Sequence, residues 1–452
     1  MKLPFPFEPL ICFGWLGVML LVGLLLRAKV KFFQHFLIPG CIIGGLLGLI
    51  LLHAGVIRVE SSLLEAFSFH LFILSFISLG LTPDDSSEKP GGKDIARGAL
   101  WMACIQGVSF SLQAVVGGTV VLAFIVLGRD IFPTFGFFVP LGFTEGPGQA
   151  LSIGKVWEGY GFQHAGNIGL IFGAMGYFAA LLVGVPLANY GIRKGKAAHT
   201  PGTLPLDFVR GLAQKGQQTE PSGRQTIHSS NMDTMAFHFA LVGAVYLLTY
   251  GIIWVIADLL GPKTGSMLWG FFFFMGLVVA TVARVVITKL GLGHVLDPGT
   301  QRRITGWSID FLLTATIMAI QLVVVWEYAL PIALMSVLSG ALTAIVVIYL
   351  GNRLRSFNLE RSMAIFGTVT GTVSTGLLLL RIIDPEFRTK VALELGLMNI
   401  ISAPVILGGL LLVSAPVLWG WSLELTIGVF CAMLLFFLVL MKVLGLWGRK
   451  SS

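Results

Sequence analysis

Read as a string of apolar and polar positions, the chain is a series of long apolar runs separated by short charged loops. Runs of this length predict membrane-spanning helices, since about 20 apolar residues are needed to cross the hydrocarbon core. In the first half the pattern predicts spans over 9–27, 37–56, 66–82, 99–127 and 162–188. In the second half it predicts spans over 236–260, 266–290, 304–326, 329–350 and 391–414, with a further helix over 421–441. The first run, Leu10 to Leu26, leads into Arg27, Lys29 and Lys31 and not into a small-residue cleavage site. It therefore reads as a retained helix.

Two segments break the pattern. The first, residues 135–154, starts apolar but carries Pro140, Gly142, Gly146, Pro147 and Gly148, which no regular helix accommodates. The second, residues 366–376, crowds Thr368, Thr370, Thr372, Ser374 and Thr375 among Gly367, Gly371 and Gly376, between Met363–Phe366 and Leu377–Leu380. Irregular backbone at membrane depth is tolerated only where it is buried in protein or lines a wet cavity. Both segments read as re-entrant hairpins, over about 134–157 and 362–381.

Composition agrees with this picture. Of the 452 residues, 56% are hydrophobic and 12% charged, against roughly 25% charged in soluble domains. The net charge of +8 would suggest nucleic acid as a partner for a soluble protein. Here the cations sit in short loops and speak for topology, so no nucleic-acid partner is expected. With the N-terminus outside and both odd segments returning to the side they entered, only Lys2, Arg58, Arg129, Lys155 and Lys263 lie outside, and Arg284 lies near the inner end of its span. Every other Lys and Arg falls inside, as the positive-inside rule requires. A full crossing by 135–154 would flip every later loop and cancel the bias. Cys12, Cys41, Cys104 and Cys431 lie within apolar runs without metal-ligand spacing. The eight histidines are scattered, with no HExxH-like spacing. An enzyme is therefore not expected, and no cofactor.

Each half reads as four spans, a broken segment and a fifth span, so the second copy is upside down relative to the first. The expected fold is an all-α polytopic membrane protein with an inverted-topology repeat of five transmembrane helices plus a re-entrant hairpin per half, and an additional C-terminal helix. The expected units are 1–189, a polar cytoplasmic linker at 190–235, 236–418, and a helix and tail at 419–452. Local likenesses agree: Asn167-Ile168 answers Asn399-Ile400, and the run from Ser68 resembles that from Ser308. Inverted repeats with broken helices in matching positions are a signature of secondary transporters.

The segments Gly142-Phe-Thr-Glu-Gly-Pro-Gly-Gln-Ala150 and Gly367-Thr-Val-Thr-Gly-Thr-Val-Ser-Thr375 resemble the small-residue re-entrant loops of the sodium:glutamate symporter family. The resemblance implies symport of Na+ with a small organic anion, glutamate or a related acidic amino acid first, by alternating access of a two-hairpin unit. It implies Na+ as coupling ion, residence in a plasma membrane (the inner membrane of a bacterium), and homodimerisation through scaffold helices; the span count and the charge bias, not the resemblance, place the C-terminus in the cytoplasm. A proton-coupled carrier or exchanger of another carboxylate is the alternative. An ion channel or a membrane-embedded enzyme stands further off.

Candidate site residues follow. Thr144, Glu145, Gly146, Gly148, Gln149 and Ser152 of the first loop, and Thr370, Gly371, Thr372, Ser374 and Thr375 of the second, are expected to face the substrate. An ionisable residue at membrane depth is a functional candidate by default. Glu145 could balance a cation, carry a proton, or be solvated if its loop is shallow. The hydroxyls could coordinate ligand or bond their own backbone. Asp310, Thr314 and Thr368 are candidates for Na+, with Arg302 or Arg303 as competing partners for Asp310. Asn167 and Asn399 could line the site or glue helices. Arg381 could clamp a carboxylate or anchor the inner surface near Asp384.

Overall fold

The computed structural model describes residues 5–83, 92–198, 206–216, 223–354, 356–385 and 388–448, and only the backbone of 262–264. Lys2 and the side chain of Lys263 lie outside the described residues, as do parts of the expected linker and tail. The described residues form helices and no strand. In order they are α1 (Glu8–Lys29), α2 (Gly40–His53), α3 (Ser61–Leu81), α4 (Gly92–Val126), α5 (Pro147–Glu158), α6 (Ala165–Arg193) and α7 (Thr234–Gly270, interrupted at Gly261). There follow α8 (Phe272–Lys289), α9 (Pro298–Met318), α10 (Ala329–Gly351), α11 (Asn358–Thr370), α12 (Val373–Ile383), α13 (Val391–Val413) and α14 (Leu423–Val443).

Among the described residues nine helices are long and apolar enough to cross a membrane: α1, α3, α4, α6, α7 as far as Gly261, α8, α10, α13 and α14. Their outward faces are apolar, with Leu10, Leu259 and Val443 at 73%, 79% and 77% exposure. That is what a lipid-facing surface requires. Two of the expected spans fall short of this standard. α2 has only 14 residues. α9 has 21, but Gln301, Arg302, Arg303, Thr305, Ser308 and Asp310 dilute its apolar surface. The span expected over 304–326 is also two pieces. α9 ends at Met318 and a short turn follows at Leu322–Glu327. The backbone groups freed at this break are met by Asn167, whose Nδ2 donates to Ala319 O at 2.8 Å and whose Oδ1 accepts from Gln321 N at 3.0 Å.

The order of elements in the first half returns in the second, and so do several packing pairs. α1 packs on α2 as α7 packs on α8; α2 packs on α9 as α8 packs on α3; α3 and α9 pack on each other. The correspondence stops at the hairpins. Both lie on α6, while α13 packs chiefly on α4. The sequence of α6 explains the difference, because glycines recur along one side of it. Side chains there would collide with the first hairpin at Gly169 (Ala150) and Gly173 (Pro147). Further along they would collide with the second, at Gly176 (Thr370), Gly184 (Leu379) and Gly191 (Leu359). A Cβ at Gly173 would lie 2.5 Å from Pro147 Cβ, and one at Gly176 would lie 2.7 Å from Thr370 O. Followed along α6, the contacts run from the base of the first hairpin to its tip, then from the tip of the second to its base. The two hairpins therefore approach from opposite ends of α6 and meet along its length.

Candidate functional site

The first hairpin is built by its proline. The arm at 135–145 is a run of tight and wide helical turns, ending in a π-type turn over Leu141–Glu145. Pro147 opens α5, where its missing N–H costs nothing, but it bars the preceding residue from helical geometry. Gly146 accordingly sits at φ 94°, ψ 170°, a region open essentially to glycine alone. The arms then return side by side. Phe132 stacks on Phe162 with ring centroids 4.4 Å apart, and Phe138 meets Trp157 at 4.9 Å.

The second hairpin is built from small residues. α11 and α12 lie against each other so closely that a Cβ on Gly367 would be 2.8 Å from Gly376 Cα. The turn is Gly371 and Thr372, both extended in φ. Two of the hydroxyls bond back into their own helix: Thr368 Oγ1 donates to Ala364 O (2.9 Å) and Thr370 Oγ1 to Phe366 O (2.6 Å).

The tips meet. A Cβ on Gly146 would lie 3.2 Å from Thr372 Cγ2 and 3.7 Å from Gly371 O. Gln113 of α4 joins them from behind. Its Oε1 accepts from Thr144 Oγ1 (2.8 Å), and its Nε2 donates to Val369 O (2.9 Å) and Thr343 Oγ1 (3.3 Å). Tyr177 of α6 donates to Thr372 Oγ1 at 3.3 Å. Beside the tips lies a cavity of about 290 Å³, near the low end of the roughly 300–1,000 Å³ typical of small-molecule sites.

Of the residues singled out from sequence, Thr144, Glu145, Gly146, Gly148, Gln149, Thr368, Thr372, Ser374 and Asn399 line this cavity. Gly371 is at the tip itself, and Thr370 and Thr375 are buried just behind it. Ser152 bonds back to Gly148 O (2.8 Å) and lines a second cavity. Others lie apart. Asn167 caps the break after α9, as described above. Arg381 stands over the Phe208 ring, 5.1 Å from its centroid. Asp310 faces the Cys41 thiol on α2, and Thr314 Oγ1 bonds to Asp310 O and Cys41 O. Sequence reasoning passed over Gln106, Gln113 and Tyr177. The two glutamines offered a signal: they stand seven residues apart, on one face of an otherwise apolar helix, where an amide is costly unless it is partnered.

The chemistry of the cavity is mixed by design of its walls. α5 begins at Pro147 and α12 at Val373, and neither Gly146 nor Thr372 caps its helix with a side chain. The first-turn N–H groups and the positive dipole ends of two half-helices thus flank the cavity, an arrangement suited to an anion. Glu145 stands next to them. With its amide turned to satisfy both partners, Gln149 Nε2 donates to Glu145 Oε2 (2.8 Å) and Glu145 O (3.0 Å). Most of the polar lining comes from the hairpins, α4 and α13, while Phe72, Phe76, Phe273, Leu277, Ile309 and Leu312 make an apolar wall on α3, α8 and α9.

A family model described as sodium/glutamate symporter matches residues 10–354, a stretch that takes in the first hairpin and stops before the second. No curated protein and no solved structure matches the chain.

Proposed function

The chain belongs to the sodium/glutamate symporter family, and from that premise we propose that it carries glutamate, or a related acidic amino acid, with Na+ by alternating access of a unit built on the two hairpins. It is an integral, multi-pass, Na+-coupled transporter and not an enzyme. The observation that carries the proposal is the meeting of Gly146 and Thr372 beside a cavity flanked by two uncapped half-helix starts. Those starts bind the cargo's carboxylate groups. A carboxylate taken out of water alone costs several kcal/mol, roughly, which pairing with a cation offsets. Coupling to a cation follows from that arithmetic, and the family makes that cation Na+. The mostly polar side of the cavity belongs to the hairpin unit and its apolar wall to α3, α8 and α9. Cargo held by the unit therefore slides past a surface that offers few hydrogen bonds to break. An inverted repeat, with the N-terminus outside and the C-terminus in the cytoplasm, is the topology these packing pairs and the charge bias support.

Purified protein in liposomes should accumulate radiolabelled glutamate under an inward Na+ gradient, and not under an equal gradient of choline. Absence of glutamate uptake alongside uptake of another acid would remove glutamate as cargo.

The outer approach runs along one face of α5. Ser152, Lys155 and Val156 line a second cavity of about 490 Å³, together with Phe69 and Trp269. Gly148 and Gln149, one turn deeper, line the first. On the wall of the first cavity the Phe72 ring packs on Gly148 and meets Phe76 and Phe273 at 4.9 and 5.2 Å, and we take it as the barrier on this path. Phe72→Ala should speed labelling of a cysteine placed at Gln149 several-fold by a membrane-impermeant thiol reagent on the outer face. A cysteine at Ser152 should label at the same rate with or without the ring. Equal rates at Gln149 in both backgrounds would mean that Phe72 is no barrier.

A further inference from the structure

Within the transport reading above, one feature of the cavity is unaccounted for: two buried acceptors with nothing to accept. Glu145 Oε1 and Gln106 Oε1 both have no protein partner, and both residues line the cavity. Gln106 is only 4% exposed. The contrast with neighbouring groups is informative. Gln113, two turns along the same face of α4, spends its amide on Thr144, Val369 and Thr343. The other oxygen of Glu145 is taken by Gln149. What is left over on these two residues is one carboxylate oxygen and one amide oxygen, which accept and do not donate while the carboxylate is ionised; the Thr305 hydroxyl, also without a partner on the cavity wall, can accept or donate. No Lys, Arg or His lines the cavity among the described residues, so the protein brings no cation of its own to Glu145. Buried acceptors are as a rule met by protein, ordered water or a bound group, and these two open onto a cavity that could hold one.

We propose that Glu145 Oε1 and Gln106 Oε1 form a site for a monovalent cationic centre beside the anion-binding helix starts. Two sources share this chemistry: the ammonium group of an amino-acid cargo and the coupling Na+. Both are hard cations that favour oxygen, and either would set a positive charge next to the carboxylate held by α5 and α12. The site thus selects a cargo that is zwitterionic, or a cargo and ion that bind as a pair.

The sources separate by binding measured on the full-length protein in nanodiscs, with thermal stabilisation as readout. The probes are Na+ alone against choline at equal ionic strength, then L-glutamate and glutarate at fixed Na+. Glutarate keeps both carboxylates and lacks the ammonium. The variants are Glu145→Gln and Gln106→Leu, and loss of one charge-assisted contact should weaken the relevant ligand roughly ten- to a hundredfold. If the centre is Na+, both variants weaken Na+ by that factor in the absence of any cargo. If it is the ammonium, Na+ is unmoved, glutamate weakens by that factor and glutarate does not. Either result supports the site. Changes below about twofold for all three probes in both variants overturn it, as does a wild-type protein that answers to none of them. A wild type that binds Na+ but neither acid sinks the glutamate reading alone, and the site is then decided by the Na+ arm.

Discussion

Gly146→Ala is expected to leave the protein folded and to cut Na+-driven uptake by roughly ten- to a hundredfold. Two effects add at this position. Backbone at φ 94°, ψ 170° is strained for any residue with a Cβ, by about 1–3 kcal/mol, and each 1.4 kcal/mol is tenfold in a rate or an equilibrium. The new methyl would also press on Thr372 Cγ2 at 3.2 Å, so relief of strain and relief of contact both push the tips apart. The tips carry the half-helix starts, and these hold cargo only while they converge. Gly161→Ala is the control. Gly161 has φ 95° but open space around its Cβ position, so it incurs backbone strain without touching the tips. Initial uptake rates in liposomes, with size-exclusion profiles to check folding, separate the two. If Gly146→Ala transports as well as Gly161→Ala, contact between the tips does not govern transport.

The positions of both hairpins were legible because their signals are local. Gly146-Pro147 forces a break wherever it falls, and the small residues of 367–376 announce close packing before any partner is known. The charge bias predicts entry from opposite faces, and the structure shows the two hairpins approaching α6 from opposite ends. What the sequence concealed depends on facing. Asn167 and Asn399 share an Asn-Ile pair and similar surroundings, yet one caps a broken helix while the other lines the cavity. Nothing local distinguishes them. Gln106 and Gln113 were visible as amides in an apolar run, but only the placement of Thr144 and Val369 divides their work. The same holds for the break after Met318. The run 304–326 is apolar enough for one helix, and the group that permits its interruption, Asn167, comes from a distant part of the chain. The sharing of α6 by both hairpins could be read only once its glycines had neighbours.

Arg361 is the sharpest case of a residue whose role a charge tally misjudges, and it supplies the second large expected effect. Counted as an inner-loop cation, it is instead buried at 7% exposure. It grips Glu394 of α13 through two bonds, Nε to Oε2 at 2.7 Å and Nη2 to Oε1 at 2.5 Å, while Nη1 donates to Ser356 O at 3.0 Å. This fork ties the base of the second hairpin to α13, whose Asn399 lines the cavity. Glu394→Ala leaves a guanidinium buried without its counter-charge and should destabilise the protein by about 3–5 kcal/mol. Arg361→Lys should fail to restore stability, since an ammonium cannot reproduce the two-pronged geometry. Replacing both partners by leucine removes the stranded charge together with the pair. The double variant should therefore be more stable than either single leucine variant, as a buried pair whose desolvation rivals its attraction predicts. Unfolding midpoints in detergent for the singles and the double close this cycle. Additive losses, with the double variant the least stable of the set, would mean that the two side chains act separately and that the hairpin base is held by packing alone.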